Sequence, residues 1–105
     1  MENASKAACL VPLDIAQKCA AALAVCCRLA EIGNKMVLSD VICAAVFLQA
    51  ALKAAGVNVN INLDAISDKN WVQEKVALLA ELISQGDDLA EETMRKVNDR
   101  LREKK

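Results

Sequence analysis

Gly33–Leu63 reads GNKMVLSDVICAAVFLQAALKAAGVNVNINL, and its middle decides the fold. Between Val41 and Ala55 only Gln49 and Lys53 are polar, and alanine is the commonest residue. Such a run, without proline or glycine, predicts a helix. It is apolar on nearly every side, and a helix apolar all round must be buried all round. Ahead of it, Gly33-Asn34 reads as a helix stop, with a left-handed turn open to either residue. Ser39 reads as the N-cap, and Asp40 in the first turn complements the helix dipole. Gly56 ends or weakens the helix, which is expected over about residues 40–56. Val57 to Leu63 then alternates apolar and polar, the pattern of a strand. Asn58, Asn60 and Asn62 are poor strand formers, and a lone seven-residue strand has no partner here. The segment is therefore expected to be an irregular extension or frayed helix end, with its amides on backbone or ligand.

Working outward, residues 4–32 are expected to be helical, with Pro12 either kinking the run or starting it anew. Ala16, Cys19, Leu23, Cys26 and Ala30 recur at alternating three and four, a single helical face. On the other side, Ser67 is expected to cap a last helix over about 68–102. Its stripe Val72, Val76, Leu79, Ile83, Gly86, Ala90, Thr93, Val97 alternates four and three. Gly86 costs about 1 kcal/mol relative to alanine in a helix, so it marks a close contact or a bend. The expected architecture is all-α, one domain of about three long helices. Two neighbours from so short a chain cannot wrap the apolar middle helix. A second subunit or a missing part of the fold must cover it.

Composition narrows the class. Aromatics make up 2% of the 105 residues, so alanine, leucine and valine must build the core. A net charge of -1 argues against nucleic acid as a partner, because neutralising phosphates needs a clustered basic excess. No uninterrupted apolar run reaches the ~20 residues that span a bilayer, and the first residues lack a signal-peptide pattern. No membrane association is expected. Five cysteines in no regular spacing do not form a disulfide framework, so a cytoplasmic setting is expected. Cys19 and Cys26 lie seven apart on one face, and Cys43 is free to face them. With no histidine and no CxxC pair the cysteines read as small core residues, with no metal site and no permanently bound cofactor. The absence of histidine also removes the commonest general base.

Several pieces of the chain, in order, resemble the cyclodeaminase and methenyltetrahydrofolate cyclohydrolase family. Val11-Pro12-Leu13 opens a helix, and Ala30-Glu31-Ile32-Gly33-Asn34 closes it. Ser39-Asp40 opens the next, Asn58 to Leu63 closes that, and a connector with Asp68 leads into the last. The family domain is about twice this length and begins with a glycine-rich PGGGS-type segment that is not found here. The resemblance thus implies the C-terminal half of a folate one-carbon domain, a homo-oligomer (dimer or tetramer) or a partner of its other half. By itself such a half is not expected to catalyse. Lys35-Met36 replaces the family's usual Pro-Asn, and Asn60 stands where arginine is frequent.

The resemblance also implies a substrate, a tetrahydrofolate derivative whose formimino group is deaminated or whose methenyl bridge is hydrolysed. Both reactions move protons, for which a partly buried carboxylate is useful, and Asp40 is the candidate for that role. Asn34, Ser39, Asn58, Asn60 and Asn62 become candidate substrate-binding residues, since amides match the mixed donor and acceptor edge of a pterin. Each has a plainer reading too. Ser39-Asp40 is accounted for by helix capping, and the asparagines by backbone satisfaction at a helix end. Lys35, Lys53 and Lys69 are positioned to attract a polyglutamate tail, or are solvated surface. The other class of function open to this chain is a non-catalytic, self-associating helical bundle.

Overall fold

The computed structural model describes residues 2–103, and among them every regular element is helical. Helix α1 spans Glu2–Ile32, a single 3₁₀ turn spans Lys35–Val37, α2 spans Leu38–Leu63 and α3 spans Lys69–Arg102. The three pack up, down, up into a rod of 60 × 17 × 16 Å. All-α architecture with three long helices is what the sequence predicted.

The core runs along the rod axis. From α1 it takes Leu13, Ala16, Cys19, Leu23, Cys26 and Ala30, including every residue of the expected stripe. From α2 it takes Leu38, Val41, Ala45, Leu52, Ala55, Val59 and Leu63, and from α3 Leu79, Leu82, Ala90 and Val97. Small residues on α1 and α2 let the backbones approach closely. Gly86 shows why on α3: a Cβ there would overlap Leu52 Cδ2 and lie 3.4 Å from Leu23 Cδ1. It is a close contact. Buried Thr93 satisfies its hydroxyl by donating to the Leu89 carbonyl at 2.7 Å.

Four local expectations change. α1 runs unbroken through the buried Pro12. The ring removes one N–H, which leaves the carbonyl of exposed Ala8 without that helical partner. Neither Gly33 nor Asn34 turns left-handed: Asn34 is extended at φ −64°, ψ 143°. Its Oδ1 caps the 3₁₀ turn by accepting from Met36 N at 2.9 Å. That turn leads directly into α2, so the helix begins before Ser39 and its N-cap is Val37, which makes no side-chain bond. The cap of α3 is Asp68 rather than Ser67, its Oδ1 accepting from Trp71 N at 3.2 Å.

The larger correction concerns Val57–Leu63, which is helix, neither irregular nor frayed. Leu52, Ala55, Gly56, Val59 and Leu63 form one buried stripe that carries the α-helical period through the asparagines. Each asparagine then falls where solvent or the helix itself serves it.

The bundle is sealed at both ends. At one, the Glu2 carboxylate accepts from Ser67 N (3.2 Å), Ser67 Oγ (3.3 Å) and Asp68 N (2.9 Å). Lys6 pairs with Asp68 at 2.8 Å, and Trp71 lies between the Lys6 and Lys75 ammonium groups at 5.4 and 5.1 Å. At the other, Arg100 donates to the Ala30 carbonyl at 3.1 Å and so serves the C-terminus of α1.

The middle helix is not buried all round. Phe47 is 74%, Ile61 63% and Val57 59% exposed in the single chain. By length and composition, the stretches Glu2–Ile32 and Lys35–Leu63 also pass the test for crossing a membrane, although neither is an uninterrupted apolar run. Core helices of bundles pass it as well; 44% of the first window and 22% of the second are buried inside this one.

Candidate functional site

The residues singled out in sequence divide into two groups, one at each end of α2. Asn34, Ser39 and Asp40 lie where α1 hands over to α2. Asn58, Asn60 and Asn62 lie about 27 to 33 Å further along, from the 1.5 Å rise per residue. No single small-molecule site takes in both.

The asparagines themselves do not form a row. At 100° per residue Asn58 and Asn62 share a face, and Asn60 points to nearly the opposite side. Asn62 Nδ2 donates to the Asn58 carbonyl at 2.9 Å, so that amide serves its own helix. The alternation that aligns side chains on a strand disperses them on a helix. The Asn34 amide oxygen is likewise occupied in capping the 3₁₀ turn.

At the α1–α2 end the geometry is more suggestive. A groove of about 410 Å³ is lined by Cys26, Leu29, Val37, Asp40, Val41 and Ala44. Its walls are aliphatic and its one charged group is Asp40, which stands exposed in the first turn of α2. Ser39 is exposed beside it. An apolar slot with a single carboxylate at its edge has the general make-up of a small-molecule site, mostly apolar with few polar groups. Sequence reading found Asp40 but missed Leu29, an α1 residue one turn before Gly33. Only the antiparallel pairing of α1 with α2 brings it opposite.

Two larger grooves lie on α3. One of about 580 Å³ is lined by Gln49, Lys53, Asp87, Asp88, Glu91 and Met94. The other, about 470 Å³, is lined by Asp88, Glu91, Glu92 and Arg95. Acidic groups outnumber basic ones in both, and they repel an anionic ligand. Asp87 is already engaged by Gln49 at 2.6 Å and Lys53 at 3.3 Å. Those contacts, the Gln49 bond first, hold its carboxyl below the usual range. Size therefore does not identify the site, and the smaller apolar groove is the better candidate.

Two of the three lysines expected to attract a tail are committed, and the third, Lys69, is exposed at the start of α3. Lys35 pairs with Glu103 at 3.8 Å and Lys53 with Asp87. Between α3 and α1, Lys96 gathers Glu92 (2.9 Å), Glu31 (3.4 Å) and Cys27 Sγ (3.5 Å). The Glu92 bond, opposed by burial, raises the Lys96 pKa. Cys43 does not face Cys19 and Cys26. It is exposed, and the other four cysteines are buried.

Among the described residues these features make up a small all-α bundle with an apolar groove at the α1–α2 end and an exposed apolar edge on α2. A profile of the formiminotransferase-cyclodeaminase family matches residues 1–81, and the chain belongs to that folate-related family. The match takes in α1, α2 and the first part of α3. No curated protein and no solved structure matches the chain.

Proposed function

We propose that the chain serves folate one-carbon metabolism, as a cyclodeaminase or methenyltetrahydrofolate cyclohydrolase component, and that the Asp40 groove is one wall of its site. The observation that carries this reading is the aliphatic slot with Asp40 as its sole charge, in a member of this family. In deamination, N10 of the folate attacks the carbon of the protonated formimino group, the N10 proton passes to the formimino nitrogen, and the carbon–nitrogen bond breaks to release ammonia and leave the methenyl cation. In hydrolysis, water adds to the carbon of the methenyl cation and releases one proton, and its second proton passes to the departing ring nitrogen as that carbon–nitrogen bond opens. Asp40 is the group in the groove able to hold that proton. Ser39 precedes it in the first turn of α2 and Asn34 caps the 3₁₀ turn before that helix, while Asn58, Asn60 and Asn62 stand too far along α2 to share the ligand. The reducing cytoplasm suits five unpaired cysteines.

Titration with 5-formyltetrahydrofolate, alongside turnover of 5,10-methenyltetrahydrofolate, tests the reading. Saturable binding that Asp40→Ala abolishes, with helicity unchanged by circular dichroism, supports it. No binding up to millimolar ligand overturns it.

The second reading, a non-catalytic self-associating bundle, is favoured by one observation: the exposed apolar edge of α2. It predicts a stable oligomer that ignores folates.

A further inference from the structure

Lys96 of α3 reaches across to α1, and its ammonium group ends among three partners. Nζ lies 2.9 Å from Glu92, 3.4 Å from Glu31 and 3.5 Å from Cys27 Sγ. The Lys96 side chain is 19% exposed and Cys27 7%. Among the described residues, Cys27 is the cysteine whose sulfur meets a side-chain nitrogen. Cys9 turns its thiol to the Val59 carbonyl, and Cys26 lines the Asp40 groove. Cys27 also stands outside the main apolar cluster. The Asp40 groove makes no use of the Lys96–Cys27 contact.

Three features favour a bond between the two side chains once the sulfur is oxidised. The first is access. A groove of about 360 Å³, lined by Ala30, Glu31, Lys96, Asp99, Arg100 and Glu103, opens on the ammonium group. Hydrogen peroxide, little larger than water, can follow it. The second is the lack of a competing thiol. Cys26 is next in sequence, but adjacent Cα atoms lie about 3.8 Å apart, short of the roughly 4.4 Å that a disulfide needs. Their side chains also diverge by about 100° around the helix. The third is a proton in place. The Glu92 bond raises the Lys96 pKa, so the nitrogen arrives carrying the proton that a departing oxygen requires.

We infer that Cys27 and Lys96 form a reversible oxidative cross-link, a sulfenamide that staples α1 to α3, with hydrogen peroxide as the oxidant. The Cys27 sulfur attacks peroxide, the O–O bond breaks, and the sulfur, oxidised by two electrons, becomes a sulfenic acid as one water leaves. The Lys96 nitrogen then bonds to that sulfur while the S–O bond breaks. One ammonium proton departs with the hydroxyl as a second water, and another passes to Glu92. Relative to thiol and free amine the pair loses two hydrogens, and peroxide is reduced to two waters. Two molecules of a small thiol reverse the step. The first attacks Cys27 and expels the amine, and the second frees Cys27 by forming a disulfide with the first. Nothing in this chemistry depends on which folate reaction the Asp40 groove serves.

Peptide mapping of the full-length chain tests the link. The protein is treated with hydrogen peroxide, alkylated in denaturant and digested with trypsin. Linkage blocks cleavage after Lys96, so the expected product is Cys19–Arg28 joined to Lys96–Arg100. Alkyl groups at Cys19 and Cys26 apart, it is lighter by two hydrogens than the two peptides together. Dithiothreitol restores both. The bond closes a loop of 69 positions, so the linked chain is expected to melt at least about 5 °C higher. Lys96→Arg keeps a cation for Glu31 and Glu92, but its delocalised guanidinium is a poor nucleophile. That variant is expected to lose both the linked peptide and the melting gain, as is the nearly isosteric Cys27→Ser, whereas Cys26→Ser keeps them. Overturning results are oxidised Cys27 with Lys96 still cleaved, a disulfide within Cys19–Arg28, or a melting gain that survives Lys96→Arg.

Discussion

Gly86 of α3 sits directly against Leu52 of α2, with no room for even a methyl group between them. Leu52 and Leu23 are both fully buried, so neither can swing into solvent to make space. Gly86→Ala adds about 1 kcal/mol of helix propensity but forces the three helices apart, which costs about 1–3 kcal/mol. The variant is expected to melt several degrees lower by circular dichroism. Combined with Leu52→Val the loss is expected to be less than additive, since the two changes share one space. An additive result assigns the cost elsewhere.

The acid limb of stability is expected to trace to the Glu2–Asp68 corner. Backbone donors from Ser67 and Asp68 hold the Glu2 carboxyl below its ordinary value of 4.5. The Lys6 side chain, then Trp71 N, holds Asp68 below 3.8. Groups depressed in the folded state bind more protons when unfolded, so their contribution is present above these values and is lost as pH falls below them. Urea midpoints measured from pH 7 to 3 should therefore drop less steeply for Glu2→Gln than for the wild type. Parallel curves rule the corner out as the source.

Asn58 and Asn60 are expected to be dispensable. Both are exposed in the interior of a helix, where alanine is favoured by roughly 0.5 kcal/mol each. The double alanine variant should be slightly more stable than the wild type and should bind any folate ligand of the Asp40 groove unchanged. Weakened binding shifts the site to the other end of α2.

Thiol labelling is expected to single out one cysteine. Burial pushes the Cys9 and Cys26 thiols up, and Cys19 and Cys27 are buried as well. Freshly diluted native protein treated briefly with iodoacetamide should carry one label, on Cys43, by peptide mass spectrometry. Labels on the other four without denaturant indicate a loose bundle.

The legible part of this fold was the part whose period had a single reading. The α1 stripe from Ala16 to Ala30 repeats only as a helix does, and it is buried throughout. Val57–Leu63 supports two periods at once. Alternation is conspicuous to the eye, but Leu52, Ala55, Val59 and Leu63 keep the helical spacing, and core packing selects that reading. Ser39 and Ser67 looked like caps because capping was judged one helix at a time. In three dimensions the 3₁₀ turn starts α2 before Ser39, and the Glu2 carboxylate occupies the Ser67 N–H and hydroxyl. Of the groove, Asp40 was legible and Leu29 was not, since only the pairing of α1 with α2 places it there.

An odd number of helices has a mechanical consequence. α1 and α3 run the same way, with Glu2 held at the Ser67 corner and Glu103 beside Lys35 at the opposite end. The first and last described residues therefore sit at opposite ends of a 60 Å rod. A force applied between them acts along the helix axes and loads every interface in shear, so the layers must slide past one another together instead of peeling apart contact by contact.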